Sequence, residues 1–140
     1  MKPERPSALA ILVVDDHRDT VSALERLLSR RGHRVTSAES CDEAVDLAKA
    51  FRFDVVLCDI GMPVKDGFAL LTALRAIYPV RVIALTGYAM QENVQQMTVA
   101  GFDGYVLKPV EWEQLRRALL GPYGEPTSVQ DREEQSGDKL

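Results

Sequence analysis

The hydrophobic pattern of this chain consists of short apolar runs in which polar residues do not alternate with apolar ones. Such runs are typical of strands that are buried on both faces, as in a parallel sheet. The second run, Arg34 to Ala38, is more polar than the others, so we place it at a sheet edge. The predicted strands are residues 10–14, 34–38, 54–59, 82–85 and 105–107.

Between these runs the apolar residues recur with the spacing of amphipathic helices. Ser40 and Glu43 have the spacing of a capping box, and Asp66 is a good N-cap residue. Breaks follow the helical patterns at Gly32, Pro79, Gly101 and Gly121. The predicted helices span residues 19–31, 40–51, 66–77, 111–120 and a stretch with a weak apolar face of Val94, Met97 and Ala100.

Strand and helix signals alternate five times, which predicts an α/β fold with a single doubly wound, five-stranded parallel sheet flanked by five helices. The strand order 2-1-3-4-5 is known from flavodoxin-like folds and was adopted from them. This order puts the polar second strand on an edge and the apolar strands inside. We expect a flexible leader at residues 1–8, one domain at 9–120 and a disordered tail at 121–140.

Composition and charge narrow the class of protein further. The chain has 140 residues, 46% of them hydrophobic and 27% charged, as is ordinary for one globular domain. Its net charge of −4 gives no support for binding to nucleic acid or to a membrane surface. Neither a signal peptide nor a membrane-spanning run is apparent, and Cys41 and Cys58 form no metal or disulfide motif, so we expect a cytoplasmic protein.

Acidic residues follow two of the predicted strands at the point where each strand ends. Asp15 and Asp16 end the first strand and Asp59 ends the third, and these strands are neighbours in the adopted order. Two carboxylates about 5 Å apart repel by about 3 kcal/mol at an effective dielectric constant of about 20. Mg²⁺ would relieve this repulsion and leave room for a phosphate oxygen. Thr86 and Lys108 end the fourth and fifth strands, and together the set indicates phosphoryl transfer.

This set resembles the CheY-like receiver domain of two-component response regulators over residues 9–120. The resemblance implies that Asp59 accepts a phosphoryl group from the phosphohistidine of a histidine kinase or a histidine phosphotransfer domain. It also implies that Asp16, Asp59 and the carbonyl oxygen of Gly61 bind Mg²⁺, and that Asp15 holds the metal mostly through water. The chain would then be no enzyme beyond catalysing its own phosphorylation and dephosphorylation.

The resemblance assigns roles to three further positions. Lys108 would contact the phosphoryl oxygens, and its peptide bond to Pro109 would be cis. Thr86 would move onto the phosphoryl group and Tyr105 would rotate inward behind it. The face formed by the fourth helix, the fifth strand and the fifth helix would then change for a downstream protein. Gly61 and Tyr88 depart from the commonest receiver pattern, which leaves the lifetime of the phosphate open.

Each of these residues also has a structural interpretation, as a turn former, helix cap or core filler. We expect His17 to face solvent near the mouth of the site, because Mg²⁺ prefers oxygen ligands, and Cys58 to be a buried filler. Trp112 has two open interpretations, as the edge of the core or as a partner contact.

The alternatives for the whole chain are a haloacid-dehalogenase-like, Mg²⁺-dependent phosphatase and a pseudo-receiver that binds partners without phosphorylation. The phosphatase family resembles this chain less, because it uses an Asp-x-Asp motif on the first strand and a later acidic pair. The sequence around Asp59 and Thr86 looks most like receivers of hybrid histidine kinases, so we favour that origin over a stand-alone regulator.

Overall fold

The computed structural model describes residues 8–62, 66–87 and 91–120, in which five strands alternate with five helices. The strands are β1 (Ala10–Val14), β2 (Arg34–Ala38), β3 (Val55–Asp59), β4 (Arg81–Thr86) and β5 (Gly104–Leu107). The helices are α1 (Arg18–Arg30), α2 (Cys41–Ala50), α3 (Gly67–Arg75), α4 (Gln91–Ala100) and α5 (Trp112–Leu120). The leader was predicted for residues 1–8 and the tail for 121–140, and all of these except residue 8 lie outside the described residues.

The sheet has the predicted order, β2-β1-β3-β4-β5, and every neighbouring pair is parallel. Strands β1, β3 and β4 are almost completely buried, because each has a neighbour on both sides and helices on both faces. Strand β2 is partly exposed and lies at the edge, as its polar composition predicts. The fold class predicted from the sequence is therefore confirmed.

Two hydrophobic cores lie on opposite faces of the sheet, because successive side chains of a strand point to opposite faces. On one face, Ile11, Val13, Leu57 and Leu85 pack with residues of α1 and α5. The other core combines the alternate strand residues with α2, α3 and α4. Both cores extend without a break from β2 to β5. This packing holds the strand ends in a fixed arrangement.

The helix boundaries follow local signals in the sequence. Ser40 Oγ accepts a hydrogen bond from the Glu43 amide at 3.1 Å, and Asp66 caps α3 by accepting from the Ala69 amide at 3.1 Å. The glutamate of the predicted capping box bonds the amide of Glu39 at 2.8 Å, one residue before the cap. Gly32 follows α1 with a φ of 90°, a conformation that a side chain would disfavour.

Two details of the predicted helices were wrong. Helix α3 ends at Arg75, and Ile77 lies beyond it in a turn closed by its own amide and the carbonyl oxygen of Leu74. Ala100 is exposed instead of buried. Met97 is 2% exposed and is the buried anchor among the side chains of α4 that are described, whereas Val99 is 86% exposed. The weak apolar face predicted for this helix therefore narrows to Met97 and the partly buried Val94.

Candidate functional site

The carboxyl ends of β1 and β3 bring the predicted acidic residues together. Val14 pairs with Cys58 in the parallel register, so Asp15 and Asp59 follow at the same level of the sheet. Both residues continue the alternation of side chains that fill the core under α1 and α5. The convergence of carboxylates expected at this edge is therefore present in the structure.

Asp15 is completely buried, and its two oxygens have different surroundings. Oδ1 accepts a hydrogen bond from the amide of His17 at 2.9 Å. Oδ2 lies 3.0 Å from Nζ of Lys108 and accepts no hydrogen bond within the described part of the chain. Lys108 and Asp15 thus form a close ion pair whose geometry is not that of a hydrogen bond. The buried Oδ2 of Asp15 can therefore still bind a metal ion or accept a hydrogen bond.

Asp59 lies at the mouth of the site with its side chain 8% exposed. Oδ1 accepts a hydrogen bond from the amide of Gly61 at 3.0 Å, which fixes the carboxylate plane. Oδ2 lies 3.4 Å from Nζ of Lys108. Lys108 therefore bridges Asp15 and Asp59, and Oδ2 is the oxygen of Asp59 that faces the charged centre.

Lys108 is held over the acids by the end of β5. Its amide donates to the carbonyl oxygen of Thr86 at 2.8 Å, which ties the residue after β5 to the end of β4. The Lys108–Pro109 peptide bond is cis, as the resemblance implied. The side chain is 23% exposed, so its ammonium group is partly shielded from water.

His17 faces solvent near the mouth of the site, as expected, and also makes contacts that the sequence did not predict. Its side chain is 67% exposed, as expected, but Nδ1 turns back to the acids. Nδ1 lies 3.0 Å from Oδ1 of Asp15, 3.4 Å from Oδ1 of Asp16 and 4.0 Å from Oδ2 of Asp59. The hydrogen bond to Asp15 and the charge of Asp16 raise the pKa of His17 above its ordinary value. The adjacency of His17 to an acidic pair was the available signal.

Among the described residues, the site carries more negative charge than its cations balance. In this part of the chain the carboxylates of Asp15, Asp16 and Asp59 face one permanent cation, Lys108, and one imidazole, His17. Crowded carboxylates of this kind favour a bound cation over the metal-free state. The excess of negative charge, together with the buried Oδ2 of Asp15, fits a divalent metal ion with oxygen ligands.

The donor atoms are close enough to share one ion. One atom each from Asp15, Asp16, His17 and Asp59 lies within 4.8 Å of the others. Gly61 adjoins the same group, since a Cβ built on it would lie 3.7 Å from Oδ1 of Asp59. A side chain at position 61 would therefore be in van der Waals contact with the Asp59 carboxylate.

Thr86 and Tyr105 lie at the same edge but belong to the other face of the sheet. Thr86 ends β4 and is 2% exposed, and Tyr105 in β5 is 5% exposed. Tyr105 pairs with Ala84, two residues before Thr86, so the two side chains alternate to the same face. Tyr105 already packs inward in the core beneath α2, α3 and α4.

A close approach of backbones beside Asp59 was also missed from the sequence. A Cβ built on Gly67 would lie 2.7 Å from Cα of Ile60 and 3.0 Å from the carbonyl oxygen of Asp59. The first residue of α3 therefore packs directly against the end of β3. The Asp66-Gly67 pair indicated a turn, but a sequence pattern does not show which backbone the glycine touches.

Other residues singled out from the sequence have structural positions. Cys58 is fully buried, and burial raises the pKa of its thiol well above the ordinary value, which makes it an inert filler. The guanidinium of Arg31 lies 3.9 Å from the ring centroid of Trp112, which is partly buried against the core under α1 and α5. Trp112 thus lies at the edge of the core. Tyr88 falls outside the described residues.

The family model described as "Response regulator receiver domain" matches residues 11–120, and the chain belongs to that family. The transcriptional regulatory protein ZraR of Escherichia coli K12 is 34% identical over 110 residues, which are 78% of this chain and 25% of ZraR. The chain therefore spans about a quarter of the length of this curated relative.

No described helix combines the length and the apolar character needed to span a membrane.

Two solved structures connect the fold to the chemistry of the site. The receiver domain of sensor histidine kinase PA1611 from Pseudomonas aeruginosa, with magnesium coordinated in its active-site cleft, is 33% identical and has a TM-score of 0.73; the match covers 81% of this chain and 95% of that one. A response regulator from Burkholderia pseudomallei with a phosphorylated aspartic acid and a calcium ion is 31% identical and has a TM-score of 0.76; the match covers 93% and 72% of the two chains.

Proposed function

We propose that this chain is the phosphoacceptor of a two-component phosphorelay and that Asp59 is the residue phosphorylated. The observation that carries the proposal is the position of its Oδ2, at the mouth of the site and 3.4 Å from Nζ of Lys108. A carboxylate oxygen beside a cation, at the carboxyl edge of a parallel sheet, is placed to attack a phosphorus atom. The solved relative with a phosphorylated aspartic acid supports this chemistry.

The transfer follows from the contacts of Asp59. Its Oδ2 forms a bond to the phosphorus of a phosphohistidine while the phosphorus–nitrogen bond breaks, and the imidazole nitrogen leaves with the bonding electron pair. The Gly61 amide holds Oδ1, so the other oxygen is presented to the donor. Lys108, which pairs with Oδ2 before transfer, then pairs with a phosphoryl oxygen and offsets its negative charge.

Asp15, Asp16 and Asp59 would hold Mg²⁺, together with the carbonyl oxygen of Gly61. When bound, the metal supplies charge neutralisation for the phosphoryl oxygens. The donor set of this chain fits such an ion because its carboxylates are closely spaced and exceed the local cations. The magnesium reported in the PA1611 receiver supports the same assignment.

Thr86 and Tyr105 would carry the signal away from Asp59. Thr86 would donate its hydroxyl to the phosphoryl group, and Tyr105, which follows the same face of the sheet, would keep its buried position behind it. The face of α4, β5 and α5 would then bind a downstream protein. The exposed Val99 and the narrow buried face of α4 suit a helix that changes position at small energetic cost.

The phosphoryl donor would be a histidine kinase or a histidine phosphotransfer domain. The chain would act in the cytoplasm, without contact to nucleic acid or membrane, and would catalyse only its own phosphorylation and dephosphorylation. The likeness to the PA1611 receiver, which is part of a sensor histidine kinase, supports an origin in a hybrid kinase. The length of the natural gene tests that origin.

Intact-protein mass spectrometry after incubation with Mg²⁺ and a small acyl-phosphate donor tests the function. We expect one phosphoryl group that is stable in acid and released by base, and none on Asp59→Asn. Asp54→Asn is the matched control, since Asp54 lies before β3 at the opposite end of the strand. Unchanged labelling of Asp59→Asn would refute the assignment of the acceptor.

The same protein distinguishes the two alternatives. A pseudo-receiver would acquire no phosphoryl group from the acyl-phosphate donor. In a separate incubation with a simple phosphoester, a phosphatase would release many equivalents of phosphate, whereas we expect no catalytic release by this chain.

A further inference from the structure

We propose that His17 is a fourth protein ligand of the metal site and makes it selective for transition-metal dications over Mg²⁺. The inference rests on the proposed metal site of the receiver and adds to it a nitrogen donor from this chain. Its basis is the position of Nδ1 among three carboxylates. An exposed side chain could equally point into solvent, so its exposure does not account for this position.

The distances around Nδ1 match the edges of a coordination shell. Ligands bonded to one ion at about 2.1 Å lie about 3.0 Å apart when adjacent and about 4.2 Å apart when opposite. Nδ1 lies 3.0 Å from Oδ1 of Asp15 and 3.4 Å from Oδ1 of Asp16, near the adjacent spacing. Oδ2 of Asp59, the oxygen proposed to bond phosphorus, lies 4.0 Å from Nδ1, so the ion would bind Asp59 through its other oxygen. One ion among these four residues requires only small movements.

In the described part of the chain, the contacts of the His17 ring all lie within the acidic cluster, the shortest being its hydrogen bond with Asp15 at 3.0 Å. His17 is the N-cap residue of α1, but its side chain makes no capping hydrogen bond. The backbone groups of His17 are already hydrogen-bonded. Its amide donates to Asp15 Oδ1, and its carbonyl oxygen accepts a hydrogen bond from the Val21 amide at 3.1 Å. The carboxylates therefore set the orientation of the imidazole.

The chemistry of the donors sets the selectivity. Mg²⁺ takes oxygen ligands, so an imidazole nitrogen adds little to its binding. Co²⁺, Zn²⁺ and Ni²⁺ bind imidazole well, and mixed nitrogen and carboxylate sets favour them. A site of carboxylates alone has less of this preference, and His17 would increase it here.

The test compares metal affinities of the tag-free protein with those of His17→Asn. Calorimetric titrations with Co²⁺, Zn²⁺ and Mg²⁺ alone, at the same pH of about 8 for both proteins, give the ratio of transition-metal to Mg²⁺ affinity. We expect this ratio to fall at least about tenfold in His17→Asn, a change within the range for altered metal surroundings. Both affinities of one protein refer to the same metal-free state. Their ratio is therefore independent of how the substitution changes that state.

The second histidine provides a matched control. His33 Nδ1 accepts a hydrogen bond from the Leu9 amide at 3.0 Å, away from the site, and an asparagine oxygen there can accept it too. We expect His33→Asn to keep the wild-type ratio. In nitrogen-detected NMR, Zn²⁺ should move the ring signals of His17 and leave those of His33 in place.

The outcomes separate this inference from the proposed function. An unchanged affinity ratio in His17→Asn, or an unmoved Nδ1 signal on saturation with Zn²⁺, would overturn the role of His17 while Mg²⁺ binding and phosphorylation of Asp59 persist. Loss of all divalent binding in the wild-type protein would instead refute the metal site on which both proposals depend.

Discussion

A single carboxylate, Asp103, and a cluster of three carboxylates lie at opposite ends of the strands of the same sheet and differ in how their charge is balanced. Asp103, just before β5, is 22% exposed in its side chain and has one guanidinium partner. Its Oδ2 accepts from the Val82 amide at 2.8 Å and from Nη2 of Arg75 at 2.9 Å. Arg75 also donates to the carbonyl oxygen of Gly101 at 3.1 Å.

The carboxylates after β1 and β3 have no such balance. Asp15 and Asp59 share one ammonium group, that of Lys108, and Asp16 adds a third negative charge beside His17. A structural carboxylate is matched by donors in the folded chain, whereas the carboxylates of a binding site keep unmet capacity for a ligand. The difference identifies the site at the carboxyl edge and assigns Asp103 to the scaffold.

Removing Asp103 should have the largest effect on stability, and removing Asp59 a much smaller one. Asp103→Ala leaves the amide of buried Val82 and the guanidinium of Arg75 without their shared acceptor, which should lower the free energy of unfolding by about 2–3 kcal/mol. Asp59→Ala in metal-free buffer should lower it by less than about 1 kcal/mol, because lost pairing with Lys108 is offset by relief of repulsion from Asp15. Urea denaturation measures both.

Equal losses in the two variants would contradict the comparison. Asp46→Ala, on the exposed side of α2, is a control for the substitution itself and should change stability by less than about 0.5 kcal/mol.

The tight packing at the end of β3 predicts a smaller effect. In Gly67→Ala the new methyl group would meet the backbone of Ile60 and Asp59 at 2.7 and 3.0 Å, so α3 must shift away from the strand. We expect the free energy of unfolding to fall by about 1–2 kcal/mol, because the cost of overpacking exceeds the gain from the better helix propensity of alanine. Thermal unfolding measures it.

Gly87→Ala, after β4, is the matched control, because nothing lies within 4 Å of the Cβ position there. We expect it to stay within about 0.5 kcal/mol of wild type. A Gly67→Ala protein as stable as Gly87→Ala would show that the carboxyl edge is looser than the structure indicates.

The two histidines should titrate in opposite directions from the ordinary imidazole pKa of about 6.5. The hydrogen bond to Asp15 raises the pKa of His17, and burial lowers the pKa of His33. The stabilisation from charged His17 is therefore complete below the unfolded pKa and is lost as pH rises through the raised folded pKa. His33 instead disfavours the folded state as pH falls below its unfolded pKa.

NMR titration of the ring protons in EDTA-containing buffer measures these shifts. If His17 titrated at or below the position of His33, the close contact of its Nδ1 with the carboxylates would be wrong.

Much of this architecture follows from the sequence, because it depends on local patterns. Apolar runs identified the strands, and the residues that end them located Asp15, Asp59 and Lys108 at one edge. The strand order was adopted from known folds, since hydrophobic runs carry no information about which strands pair. The relative registers of β1 and β3, which set the acids at one level, likewise appear only in the folded chain.

The contacts that the sequence did not reveal all depend on how side chains and elements are oriented in the folded chain. The orientation of His17 depends on a ring rotation, and the contact of Gly67 depends on where α3 meets β3. The pairing of Asp103 with Arg75 connects residues 28 positions apart with no shared motif. Such contacts follow from tertiary packing, which pattern and propensity do not encode.

The most direct test of the account is the stabilisation of the fold by Mg²⁺. The free energy of unfolding should be measured at constant ionic strength, with and without Mg²⁺, in wild type, Asp59→Asn and Asp103→Ala. If magnesium is the missing counter-ion, it should stabilise wild type and Asp103→Ala by the same increment, RT ln(1 + [Mg²⁺]/Kd), and Asp59→Asn by much less. An Asp59→Asn increment equal to that of wild type would contradict the account.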